Sequence, residues 1–182
     1  MVLRFAKEKF SIEGEKKRLK EYFLQFFKNH SKIVILTVGN VLNSDDGAGP
    51  YLFTNFLSQR PLSKKWYVKN AELMPENFIS PIREFNPSHL IVIDALQAGV
   101  NPGDLLLFTK DDIVDSSDVT TTHSMSFSFF LNYLEELKKI RFLGLGIQIK
   151  TSEFGVNSIS EEVITGLKKI GEFLQEIIDE ID

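Results

Sequence analysis

At 182 residues the chain is long enough to bury the core of one domain, and its 43% hydrophobic and 25% charged residues are ordinary for a soluble protein. It has no Cys, which excludes disulfides, thiolate metal sites and a cysteine nucleophile and fits a reducing compartment. The net charge of −4 is uneven: residues 1–30 carry eight Lys/Arg against four Glu, and the other 152 carry 13 basic and 21 acidic groups. Such an acidic body is a poor phosphate binder, so nucleic acid is not expected as a partner. No apolar run approaches the roughly 20 residues of a spanning helix, and MVLRFAKEKFSIEGEKK lacks a secretory apolar region. A cytoplasmic protein without membrane insertion is expected.

In chain order, Leu19, Tyr22, Phe23, Phe26 and Phe27 recur at helical spacing, opposite Lys16, Lys17, Arg18, Lys20 and Lys28. Residues 1–31 are therefore predicted to be an amphipathic helical extension that packs on the body, rather than one that binds a membrane or a partner. The remainder, 32–182, is predicted to be one α/β domain. IVILTV (33–38), HLIVIDA (89–95) and FLGLGIQI (142–149) are continuous apolar runs of strand length, the pattern of strands covered on both faces. WYVKN (66–70) and DLLLF (104–108) are shorter strand candidates. Helices are expected near 48–59, 76–86, 124–139 and 159–180. The third would present Phe127, Phe130, Leu131 and Leu134 on one face, and the last would open with a Ser158/Glu161 capping box.

This alternation predicts a three-layer α/β sandwich, with a five-stranded, mostly parallel sheet and helices on both faces. One strand should run the other way. LQAGVNPG (96–103) is too short for a crossover helix, so the strand at 104–108 is expected to be antiparallel to its predecessor.

Ligands of open α/β sheets collect beyond the carboxyl ends of the strands. There the sequence places GNVLNSDDGAGP (39–50), Asp94 at the end of an apolar strand, and TTTHSM (120–125) before a helix. Asp46, Asp94 and His123 can converge at that edge. Two carboxylates and an imidazole suit a borderline divalent ion such as nickel, zinc or iron with open coordination positions. They suit equally a water held for attack on a carbonyl, with a carboxylate as base. Each also has a structural reading: Asp45 or Asp46 as a helix cap, Asp94 as a hydrogen-bonded or exposed strand-end acid, and His123 as a cap or loop histidine. Gly39, Gly47 and Gly49 match neither the dinucleotide fingerprint nor a P-loop, and no Gly-x-Ser-x-Gly elbow supports a serine nucleophile. His30 lies in the leader and His89 at a strand start, the wrong edge of the sheet.

Taken together, TVGNVLNSDDGAGPYL (37–52), LIVIDALQAGVNPGDL (90–105) and TTHSM (121–125) resemble the hydrogenase maturation endopeptidases. The likeness is to the type serving formate hydrogenlyase and related membrane-bound hydrogenases, and runs from about Lys32 to about Ile170. It implies an aspartyl-type endopeptidase that removes the C-terminal extension of a [NiFe]-hydrogenase large-subunit precursor once nickel is inserted. It also implies that Asp46, Asp94 and His123 are the metal-contacting and catalytic residues. The nickel would be supplied by the substrate precursor, and the peptidase would hold no tightly bound cofactor of its own. In one place the chain departs from the pattern: Asn70-Ala71-Glu72 stands where the family has an Asp-Gly-Gly turn, so no recognition role is carried over to Asn70, and Glu72 is the neighbouring acid available to replace it. Two alternatives stay open, a receiver-like signalling domain and a non-catalytic module that chaperones a hydrogenase subunit. A monomer is expected, since no large apolar patch declares itself in the pattern.

Overall fold

A computed structural model describes residues 2–3, 8–10, 12–59, 61–109, 113–114, 130 and 140–182. The apolar runs are strands, as the continuous pattern predicts: β3 (Ile33–Val38), β4 (Trp66–Glu72), β5 (His89–Leu96), β6 (Leu105–Phe108) and β8 (Arg141–Gln148). In β3 every residue is buried because both faces are covered. Ile33 and Ile35 point into one apolar cluster, and Val34, Leu36 and Val38 into the other, the two-residue period of a strand. The larger cluster lies beneath helices α1 (Ile12–Phe26), α2 (Ala48–Leu52) and α4 (Glu161–Ile181); the smaller lies beneath α3 (Ile79–Phe85) and Phe130.

The five expected strands lie in the order β6-β8-β5-β3-β4, with β8, β5, β3 and β4 parallel. β6 is the antiparallel member, and its hydrogen bonds go to β8 rather than to its predecessor β5. The short 97–104 connection therefore passes over the place that β8 later fills. A sixth strand was not foreseen: β2 (Glu8–Phe10), from the leader, pairs antiparallel with β6 and extends that edge. A two-stranded ribbon of β1 (Val2–Leu3) and β7 (Ile113–Val114) stands apart from the sheet.

The leader helix packs on the body, as its periodicity predicts. Leu19, Phe23, Phe26 and Phe27 are buried in the larger cluster, and the Phe23 ring meets Phe173 of α4 edge-on, with centroids 5.3 Å apart. The polar side of that contact is Lys20 between Glu176 (3.0 Å) and Glu180 (2.6 Å). At the amino-terminal edge of the sheet, His89 is buried. Its Nε2 lies 2.8 Å from the Phe26 carbonyl and its Nδ1 2.8 Å from the Ser88 hydroxyl, which ties the end of α1 to the start of β5. Burial lowers its pKa, so His89 is a neutral structural histidine, remote from the edge where Asp94 lies.

Helix boundaries differ in detail from the expected ones. The 48–59 segment is a short α-helix that passes into a π-helical turn at Phe53–Leu57. The 76–86 segment opens as a 3₁₀ turn (Pro75–Phe78) and ends at Asn86 in the left-handed conformation. The Ser158/Glu161 capping box does not form: α4 begins at Glu161 with Ser160 at the flank, and that hydroxyl is drawn away to Asp45. Apart from Phe130, the 124–139 helix lies outside the described residues.

Candidate active site

β3 leaves the sheet at Val38, and the chain turns at Gly39, whose φ of 145° favours glycine. A Cβ there would meet the Asp46 carbonyl at 2.1 Å, so the returning turn can approach only because the side chain is missing. Gly49 does the same one step later, where a Cβ would meet the Val38 carbonyl at 2.2 Å. These glycines fold the 39–50 loop tightly back over the ends of β3 and β5, which explains their spacing without any phosphate. Within that loop Ser44–Gly47 is a 3₁₀ turn, and it carries the acid pair.

The two acids face different neighbours. Asp45 is fully buried and accepts hydrogen bonds from the backbone N–H groups of Lys150 (2.8 Å), Thr151 (3.0 Å) and Ser160 (2.7 Å), and from the Ser160 hydroxyl (2.8 Å). Desolvation alone would raise its pKa, but these donors outweigh it and hold the carboxyl below the ordinary carboxylate value. Asp45 is thus a clamp joining the first loop to the 150–160 loop and the start of α4. Neither acid caps the helix that follows it, since no side-chain cap bond forms there.

Asp46 is partly exposed, and one carboxylate oxygen accepts the Asn40 N–H at 3.2 Å. Its neighbour across the sheet edge is Asp94, the sixth of the eight residues of β5 and opposite Gly146 of β8. Asp94 accepts the Ala95 N–H at 2.8 Å. Burial first, and then the charge of Asp46, push its carboxyl up from 3.8 to about 7, against that one hydrogen bond. Asp94 is therefore close to half-protonated at neutral pH, the condition in which a carboxyl can exchange a proton or receive a cation. Asp46 and Asp94 converge as the topology predicts. His123, the third of the set, lies outside the described residues, and among those described no group of three His, Cys, Asp or Glu is placed to hold a metal.

Asn70 joins the loop framework. Its Oδ1 accepts the Thr37 hydroxyl at 3.0 Å and the Glu72 N–H at 3.3 Å, where Glu72 adopts a φ of 51° and its carbonyl accepts the Gly39 N–H. The structural part of Asp45 and the hold of Asn70 on Thr37 escape sequence reading, because their partners lie 105 to 115 and 33 residues away.

The receiver-like alternative fails on topology. A receiver sheet is all parallel in the order 2-1-3-4-5, whereas here the last strand inserts between β5 and an antiparallel β6. Lys150, the lysine that follows the last strand, pairs with Glu162 at 2.6 Å.

Comparison with known proteins shows the family to which the chain belongs. Residues 51–180 match the family model HycI, hydrogenase maturation protease. A Methanocaldococcus jannaschii protein described as a hydrogenase maturation protease is 31% identical over 169 residues, spanning 90% of this chain and 98% of that one. Escherichia coli endopeptidase HycI superimposes with a TM-score of 0.67 at 31% identity, over 80% of this chain and 90% of that one. The [NiFe] hydrogenase maturation protease HycI of Thermococcus kodakarensis shares the fold, with a TM-score of 0.75 over 89% of this chain and 99% of that one at 20% identity. With the family model matched over residues 51–180 and a relative 31% identical along nearly the whole chain, on a sheet that runs antiparallel only at its β6 side, the chain belongs to the HycI family of hydrogenase maturation proteases.

Proposed function

We propose that the protein removes the C-terminal extension of a [NiFe]-hydrogenase large-subunit precursor after nickel has been inserted. The observation that carries this reading is the pairing of Asp46 with Asp94 at the carboxyl edge, while the adjacent Asp45 is fully committed to the fold. A protein of this family that kept its acids only for stability would have no use for a second, costly carboxyl beside Asp46.

In this reading Asp46, Asp94 and His123 complete the coordination of the nickel that arrives with the precursor. The cation displaces the proton that Asp94 holds near neutrality and cancels the repulsion between the two carboxylates. Docking the metal fixes the scissile peptide against the site, and orientation of that kind supplies several kcal/mol of rate enhancement. A water activated by the cation or by a carboxylate attacks the peptide carbonyl. The C–N bond breaks, and the proton lost by the water passes to the leaving amine.

The test is incubation with nickel-loaded and nickel-free precursor, followed by intact-mass spectrometry of its C-terminus. Loss of a short C-terminal peptide from the nickel-loaded form alone is expected, and Asp46→Asn should abolish it. Binding without cleavage would favour the chaperone alternative, and full activity in Asp46→Asn would overturn the assignment of that residue.

A further inference from the structure

Five large apolar side chains are exposed among the described residues: Val41, Leu42, Leu73, Met74 and Phe154. All of them stand on loops at the carboxyl edge of the sheet. Phe154 is 81% exposed, and the residue after it, Gly155, donates its N–H to the Leu42 carbonyl at 2.9 Å. Asn43 and Val156 form a parallel bridge that holds those two loops side by side. On the other side, Leu73 and Met74 follow Glu72, whose carbonyl accepts the Gly39 N–H at 2.9 Å. The three loops are thus stitched into one rim around Asp46, and the apolar residues lie on it while the rest of the surface presents none of comparable size among the described residues. Sequence pattern does not show this patch because no two of the three segments are adjacent in the chain.

The same edge is acidic. Besides the buried Asp45, residues 39–47, 72–77, 94–104 and 149–160 hold six Asp/Glu and one basic residue, Lys150, already engaged by Glu162. Like charge disfavours an anionic lipid surface and a second copy of this face, and favours a partner that brings positive charge.

We infer that this rim is the docking surface for the folded body of the protein substrate, and that it takes an apolar surface interspersed with Lys/Arg next to the segment to be cut. The inference rests on the proposed function for the identity of that substrate, the nickel-loaded precursor. The apolar side chains supply the desolvated centre of the contact and the acids its orientation and on-rate.

The test compares wild type with the double variants Leu42→Ser/Phe154→Ser and Glu72→Gln/Glu153→Gln, and with Glu172→Gln, an exposed charge on α4. Affinity for nickel-loaded precursor, KM and kcat are measured across ionic strength, with thermal melting as the check on folding. Leu42→Ser/Phe154→Ser should raise Kd and KM at least ten-fold with kcat within two-fold. Glu72→Gln/Glu153→Gln should flatten the salt dependence of association, and Glu172→Gln should change neither. Unchanged affinity in both rim variants, with wild-type cleavage intact, overturns the docking surface and leaves the peptidase reading standing. Wild-type binding that the rim variants weaken, without any cleavage, supports the rim and overturns the peptidase reading. Absence of binding overturns both, and a wild-type dimer in sedimentation that the rim variants dissolve reassigns the rim to self-association.

Discussion

Asp45 and Asp46 occupy consecutive positions in one 3₁₀ turn, yet their substitution should give opposite results. Asp45→Ala leaves three backbone N–H groups and a hydroxyl without their buried acceptor. Charged hydrogen bonds contribute about 1.5–3 kcal/mol each, so the loss should be roughly 3 kcal/mol or more in chemical denaturation. Asp46→Asn should hold stability within about 1 kcal/mol of wild type while processing disappears. Asp94 offers a second test, through pH. Its folded pKa of about 7 lies above the ordinary 3.8, so the group costs nothing below pH 3.8 and its cost is complete above about pH 7. At about 1.36 kcal/mol per pKa unit the cost reaches at most roughly 4 kcal/mol. Asp94→Asn, which keeps an oxygen for the Ala95 N–H, should therefore melt above wild type at pH 8 and lose that advantage by pH 4. Equal melting temperatures at both pH values would show that the carboxyl is not held in the strained, desolvated state.

At the scale of elements, the leader and the C-terminal helix form one layer. Phe23 is fully buried against Phe173, so Phe23→Ala should cost about 3–5 kcal/mol, measured by denaturant unfolding. The ion pairs of Lys16 and Lys20 with Glu176 and Glu180 should contribute far less, because salt and water screen them. Lys20→Ala is expected to leave the transition midpoint nearly unmoved. A large loss there would mean that the charge network, rather than the apolar seam, holds α1 on α4. The seam was legible from the spacing of Leu19, Phe23, Phe26 and Phe27, since a 3.6-residue period has one physical outcome, an apolar stripe that must be covered. The strand Glu8–Phe10 was not, because three residues of mixed polarity carry no period and gain their place only from the open edge of β6.

For the whole molecule, binding and cleavage should be separable. Asp46→Asn is expected to retain the precursor in a complex that elutes together in size exclusion, since most of the proposed contact lies on the loops around the acids. The five main strands, the reversed direction of β6 and the meeting of Asp46 with Asp94 could all be read from the sequence. Continuous apolar runs admit only a doubly covered sheet, an eight-residue connection cannot carry a parallel crossover, and strand ends collect at one edge. Which acid is structural, why Glu161 rather than Ser158 marks the start of the last helix, and how three loops assemble an apolar acidic rim were decided only by tertiary structure. Each depends on partners brought from distant parts of the chain, such as the 105 residues between Asp45 and Lys150, and a contact of that range leaves no local pattern in the sequence.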